Sequence, residues 1–81
     1  MKAPAVKKAA AAYTSDQIAA GIEAIIEREE DLLEVEGDDI GERLTHLLLA
    51  ARIRSRMDAG EELKDAFRAE MNAVRDTITN G

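Results

Sequence analysis

The segment 40–57 constrains the fold most, because its apolar residues fall on two faces of a helix instead of one. It reads IGERLTHLLLAARIRSRM. At 100° per residue, one face combines Leu49, Ile53 and Met57 with His46, and a second apolar face lies roughly opposite. A surface helix needs a single apolar face, so we predict that this helix is central, with neighbours on both sides. The second face comprises Ile40, Leu44, Leu47, Leu48 and Ala51.

The composition predicts an all-α fold. The chain has 81 residues, one Phe, one Tyr and no Trp, and it is rich in Ala, Leu, Ile, Glu and Arg. These are helix-forming residues, and a chain of this length forms one small domain with a marginal core. Apolar periodicity predicts a small bundle of three helices at about 15–35, 40–57 and 61–78. Short connections predict an antiparallel hairpin plus a third helix.

Capping patterns support these boundaries. Thr14 and Gln17 form a T-x-x-Q capping box at the start of helix one, and Asp39 caps helix two. Gly37 is predicted to stop helix one, and Gly60 to end helix two.

Residues 1–13 are predicted to be a flexible tail preceding a helical domain at 14–81. The stretch is rich in Ala and Lys, contains Pro4, and has no large apolar residues apart from Val6 and Tyr13. A segment of this composition has little apolar surface to bury.

The second apolar face of helix two predicts self-association. Three helices cannot cover it fully, so a second copy of the chain is expected to do so across a two-fold axis. The predicted interface consists of Ile40, Leu44, Leu47, Leu48 and Ala51.

The most specific polar feature is a predicted buried pair, Glu29 and His46. Glu29 interrupts the apolar stripe of helix one, and antiparallel pairing about Gly37 brings it level with His46, the single histidine. We interpret the pair as a structural ion pair inside a helix interface. The alternative is an acid–base pair, or a metal site with Glu30 or Glu42.

Charge predicts a protein partner. The net charge is −6, and residues 14–42 contain one arginine against eleven acidic residues. Such a chain binds nucleic acid poorly, because phosphate contacts dominate that affinity. We predict an acidic surface that meets a partner of basic or mixed charge. It comprises Glu27, Glu30, Asp31, Glu34 and Asp38.

Other chemistries find no support in the sequence. There is no cysteine, which favours the cytoplasm weakly, and no apolar run long enough to cross a bilayer. No P-loop, G-x-G-x-x-G or H-E-x-x-H motif occurs, so no cofactor and no catalysis are predicted.

Arg52, Arg54 and Arg56 splay apart on a helix, which favours single salt bridges over a phosphate site.

The predicted function is therefore protein–protein interaction without catalysis. The chain has the size and composition of a small adaptor, inhibitor or regulatory protein of bacterial or phage type that acts as a helical homo-oligomer. Two alternatives remain open: a structural assembly component, such as a phage packaging or scaffold subunit, and a metal-binding bundle of carboxylates and histidine.

Overall fold

A computed structural model describes residues 2–80, with side chains through residue 74. Within that range the chain forms four α-helices and no strand, which confirms the predicted all-α class. The predicted number of three helices is wrong. Met1 and Gly81, which the predicted tail and domain include, lie outside the described residues. The helices are α1 (Ala3–Ala12), α2 (Ser15–Arg28), α3 (Ile40–Asp58) and α4 (Leu63–Asn80).

The predicted tail is the additional helix, α1. Pro4 lies in its first turn, where the missing N–H is not needed, and alanine has the highest helix propensity. The side chain of Val6 is fully buried, and three alanines are buried beside it on the same face: Ala5, Ala9 and Ala10. Small side chains let two helices approach closely, so this face packs tightly without large apolar residues.

Helix α1 runs parallel to α3. At one end the backbone N–H of Lys2 donates to Nε2 of His46 at 3.0 Å. At the other end, Nη1 of Arg54 donates to the carbonyl oxygen of Ala10 at 3.4 Å. Both contacts join residues 44 positions apart, so the two helices keep the same register along their length.

Helix α2 begins as predicted and ends seven residues early. The Thr14 side chain accepts from the backbone N–H of Gln17, and the Gln17 side chain accepts from that of Thr14, which completes the capping box. The helix stops at Arg28, and Glu29 follows with a left-handed φ of 55°. Gly37 therefore does not end this helix. Within a longer helix, the i,i+4 pairs Glu27–Asp31 and Glu30–Glu34 would bring like charges together, and such pairs destabilise helices.

The irregular segment 29–39 folds back onto the bundle, where it packs against α2 and Tyr13. A Cβ on Gly21 would lie 2.9 Å from Cδ1 of Leu33, so this glycine lets the segment approach α2 closely. The hydroxyl of Tyr13 donates to the carbonyl oxygen of Leu33 at 3.0 Å, and Val35 is buried. Packing of these side chains overrides the helical periodicity of the sequence.

Helix α3 is central, as its two apolar faces predicted. The Asp39 side chain caps it by accepting from the N–H of Glu42 at 2.7 Å. It packs against α1, α2 and α4. Gly60 follows the helix with a φ of 111°, a conformation that L side chains rarely adopt. Its buried residues are His46, Leu47, Leu49, Ala50 and Ile53.

Helix α4 closes the bundle against α3 and α1. Ala66 and Glu70 are buried, and the ammonium group of Lys7 in α1 lies 4.5 Å from the ring centre of Phe67. The side chain of Ile78, the last residue of the predicted third helix, lies outside the described residues. None of the helices within residues 2–80 is both long and apolar enough to span a membrane.

Substitution of Val6 tests whether α1 is part of the core. Val6→Ala is expected to lower the free energy of unfolding by about 1–2 kcal/mol, since the lost burial outweighs the better helix propensity of alanine. Urea denaturation, monitored by circular dichroism, measures this free energy. The control, Leu32→Ala, removes more carbon atoms from a side chain that is 55% exposed. An effect of Val6→Ala no larger than that of the control would show that α1 is not docked.

Candidate interaction surfaces

His46 is a buried junction between three parts of the chain. Its side chain is fully buried, and its Nδ1 lies 2.6 Å from the carbonyl oxygen of Glu36. A carbonyl only accepts hydrogen bonds, so Nδ1 carries the proton and Nε2 is free to accept from the N–H of Lys2. The imidazole therefore joins α3 to the start of α1 and to the segment 29–39.

The predicted pair of Glu29 and His46 does not form. Because α2 ends at Arg28, Glu29 is the exposed C-cap residue of that helix and does not extend its apolar stripe. Both ring nitrogens of His46 are occupied by backbone groups instead. The prediction failed because it assumed a helix that continued to residue 35.

The carboxylate of Glu42 lies near this histidine. Oε1 of Glu42 lies 3.7 Å from Nε2 of His46, one helical turn away on α3. Since Nε2 already accepts from Lys2, its lone pair is not available to a metal ion. Among the described residues, no three His, Cys, Asp or Glu side chains are close enough together to hold one.

Glu70 is a buried charge on α4. Its side chain is 4% exposed and accepts from Nε of Arg52 through one oxygen and from Nε of Arg56 through the other. Burial acts to raise the pKa of Glu70, but the hydrogen bonds from the two arginines outweigh it and hold that pKa below its usual range. The same contact raises the pKa of Arg56.

Arg52 and Arg56 therefore form salt bridges, but they share Glu70, whereas single salt bridges from arginines that splay apart were predicted. Residues four apart lie on the same side of a helix, which brings these two together.

The third arginine, Arg54, pairs with Asp58 at 3.0 Å on its own helix. The Ser15 hydroxyl also donates to Asp58, at 2.7 Å, and this hydrogen bond is the main reason that the pKa of Asp58 is lowered. It ties the start of α2 to the end of α3, so these two helices are antiparallel as predicted.

The residues predicted to form the oligomer interface differ in how exposed they are. Leu47 is fully buried in its own chain, which removes it from any interface. Leu48 is 47% exposed. Ile40, Leu44 and Ala51 are half-buried. The helical spacing of Leu44, Leu48 and Ala51 places them on one side of α3, and we call these three residues the outer face of α3.

The predicted acidic surface is present except for one residue. Glu27, Glu30, Glu34 and Asp38 are exposed. The side chain of Asp31 is only 8% exposed, and its nearest cation is Nη1 of Arg43 at 3.6 Å. Asp31 was assigned to the surface because it was expected on the polar side of a continuing helix, and it turns inward because that helix ends before it.

Sequence reasoning did not identify Glu70 as a site residue and did not predict the burial of Asp31, although the sequence contains a signal for each. Glu70 stands among apolar residues at helical spacing, and arginines at positions 52 and 56 lie on the helix that precedes it. An acid in such a position requires a cation opposite it. For Asp31 the signal is the density of like charge from residue 27 to 34, which opposes a regular helix there.

Removal of the buried imidazole tests the role of His46. His46→Leu leaves the N–H of Lys2 and the carbonyl of Glu36 without their partner, and a polar group left unpaired where water does not reach it costs about 1–3 kcal/mol. We expect a lower free energy of unfolding in urea and faster amide exchange through α1. Glu29→Gln is the control, and it should change neither quantity. A strong effect of Glu29→Gln would instead support the direct pair with His46.

Acid titration tests the environment of Glu70. Its pKa is lower in the folded than in the unfolded chain, so its stabilisation is complete above the unfolded pKa and is lost as the pH falls through the folded pKa. Glu70→Gln should therefore lower stability at neutral pH, by about 1.5–3 kcal/mol for hydrogen bonds to a charged group. The gap between wild type and variant should close in acid. A gap that stays constant with pH would contradict the lowered pKa.

Comparison with known proteins identifies a family and no characterised relative. No curated protein and no solved structure matches the chain. One family model does match, and it covers residues 1–79, which includes α1 and almost all of α4. The chain therefore belongs to the family of unknown function DUF6952.

Proposed function

We propose that this chain is a non-enzymatic protein-interaction module that acts as a helical homo-oligomer. The observation that carries the proposal is the outer face of α3. Leu48 remains 47% exposed at its centre although α3 packs against the other three helices elsewhere. An exposed apolar side chain on a central helix, with apolar neighbours at i−4 and i+3, is suited to a contact with another chain.

The charge distribution favours a second copy as the occupant of this face. The chain carries a net charge of −6, so two copies repel each other across most surfaces. Residues 43–57 contain no acidic residue, and the nearby Arg52 and Arg56 are already paired with Glu70. A two-fold contact through the outer face therefore avoids the repulsion between acids and buries apolar surface on both copies.

The acidic surface supports binding to a further protein. Its exposed members lie around the C-terminal end of α2 and along the segment 29–39. A protein partner with basic or mixed charge would be attracted to it, and the attraction would raise the association rate. We place the protein in the cytoplasm, where a chain without cysteine is expected.

Charge insertion on the outer face tests self-association. Wild type is expected to sediment as a dimer at micromolar concentration, and Leu48→Glu as a folded monomer, because Leu48 contributes little to the core of its own chain. Analytical ultracentrifugation measures the oligomeric state of each protein, and circular dichroism shows whether it is folded. Leu32→Glu introduces the same charge at another exposed leucine and should remain dimeric.

Three outcomes would contradict this part of the proposal. They are a monomeric wild type, a Leu48→Glu variant of unchanged mass, and equal dissociation of the Leu32→Glu control. A ring or an open series of larger species would support an assembly component in place of an adaptor.

A further inference from the structure

The carboxylate of Asp31 is buried without a hydrogen bond. Its side chain is 8% exposed, and neither oxygen accepts a hydrogen bond from any group that the structure describes. Arg43 provides the nearest positive charge, but its Nη1 remains 3.6 Å from Oδ2. Buried carboxylates are ordinarily hydrogen-bonded, so these two oxygens constitute unused acceptor capacity.

Arg43 is held in place by another contact. Its Nε donates to the carbonyl oxygen of Gly37 at 3.1 Å. A Cβ on Gly37 would lie 2.7 Å from Cγ of Arg43, so the absence of a side chain there allows the arginine to lie against the backbone. The guanidinium is therefore anchored beside Asp31, where it offsets the negative charge and leaves both oxygens unoccupied.

A crevice of about 260 Å³ opens beside this carboxylate. Val35 provides an apolar wall, and Glu34 adds a second carboxylate at the exposed side. With two carboxylates against one guanidinium, the lining has a net negative charge. Its four lining residues are Asp31, Glu34, Val35 and Arg43.

We propose that this crevice binds the guanidinium group of an arginine side chain from a partner protein. A guanidinium presents paired N–H donors in one plane, which match the two oxygens of a carboxylate and remain charged at every physiological pH. Both oxygens of Asp31 are closed to solvent, so its side chain must turn toward the crevice as the guanidinium enters. Asp31 then accepts from the planar group, Glu34 accepts at the mouth, and Val35 contacts the methylene stem. The choice of a protein-borne guanidinium rests on the proposed interaction function.

An NMR titration with small arginine probes tests the site. N-acetyl-arginine N′-methylamide is added to the ¹⁵N-labelled full chain, and N-acetyl-citrulline N′-methylamide is the uncharged control. The arginine probe should shift the amide signals of residues 31–35 and 43 in a saturable manner, and the citrulline probe should not. Asp31→Asn and Glu34→Gln should each weaken binding at least about tenfold, the scale of one lost charge-assisted hydrogen bond.

Glu23→Gln is the matched control, because it removes the same charge from an exposed position on α2. It should change the dissociation constant less than about twofold, since screened charges at a distance contribute little. Glu34 is exposed, so Glu34→Gln keeps the test valid if Asp31→Asn unfolds. Absence of saturable shifts, an equal response to citrulline, or equal weakening by Glu23→Gln would overturn the site.

A second titration distinguishes two possible ligands of the crevice, an arginine side chain of a partner protein and a free guanidinium compound. Agmatine carries the same group without peptide bonds, and binding of the arginine probe that equals or exceeds that of agmatine supports a protein source. Binding of agmatine alone overturns it. The Asp31→Asn variant should still sediment as a dimer. Lost arginine binding in an intact dimer therefore reports on the crevice, and a monomeric wild type reports on the proposed self-association.

Discussion

The buried imidazole of His46 is the interaction on which the rest of the structure depends. A fully buried histidine requires partners for both ring nitrogens, and neither partner comes from its own helix. The N–H of Lys2 brings the start of α1 to α3, and the carbonyl of Glu36 brings the segment 29–39 to the same point. These two hydrogen bonds place the alanine face of α1 along α3 and hold the segment that carries Asp31 against the bundle.

Charge is distributed so that the core is closed and two surfaces remain available. Glu70 is neutralised by Arg52 and Arg56, which joins α4 to α3 and removes that acid from any external role. The carboxylate of Asp31 is buried as well, but it is neutralised at a distance and retains its acceptor capacity. The outer face of α3 and the crevice beside Asp31 therefore differ in character, because the first is apolar and the second has a net negative charge.

Sequence alone predicted the all-α class, the central position of α3, and the capping of α2 and α3, because these features depend on local periodicity and on residues three apart. It did not predict α1, since small residues leave a weak hydrophobic signal although alanines pack closely enough to form a core. The pair assigned to Glu29 and His46 failed for a related reason. The early end of α2 depends on the packing of Leu33 against Gly21 and on repulsion between acids, which a search for apolar spacing does not detect.

Native-state hydrogen exchange in low urea tests most directly whether α1 is an integral part of this fold. The amides of Ala9 and Ala10 should exchange with the same opening free energy and the same urea dependence as those of Ala50 and Ile53, because helices that share one core unfold together. Exchange of the α1 amides at the rates of an unstructured peptide, with α3 still protected, would contradict the account.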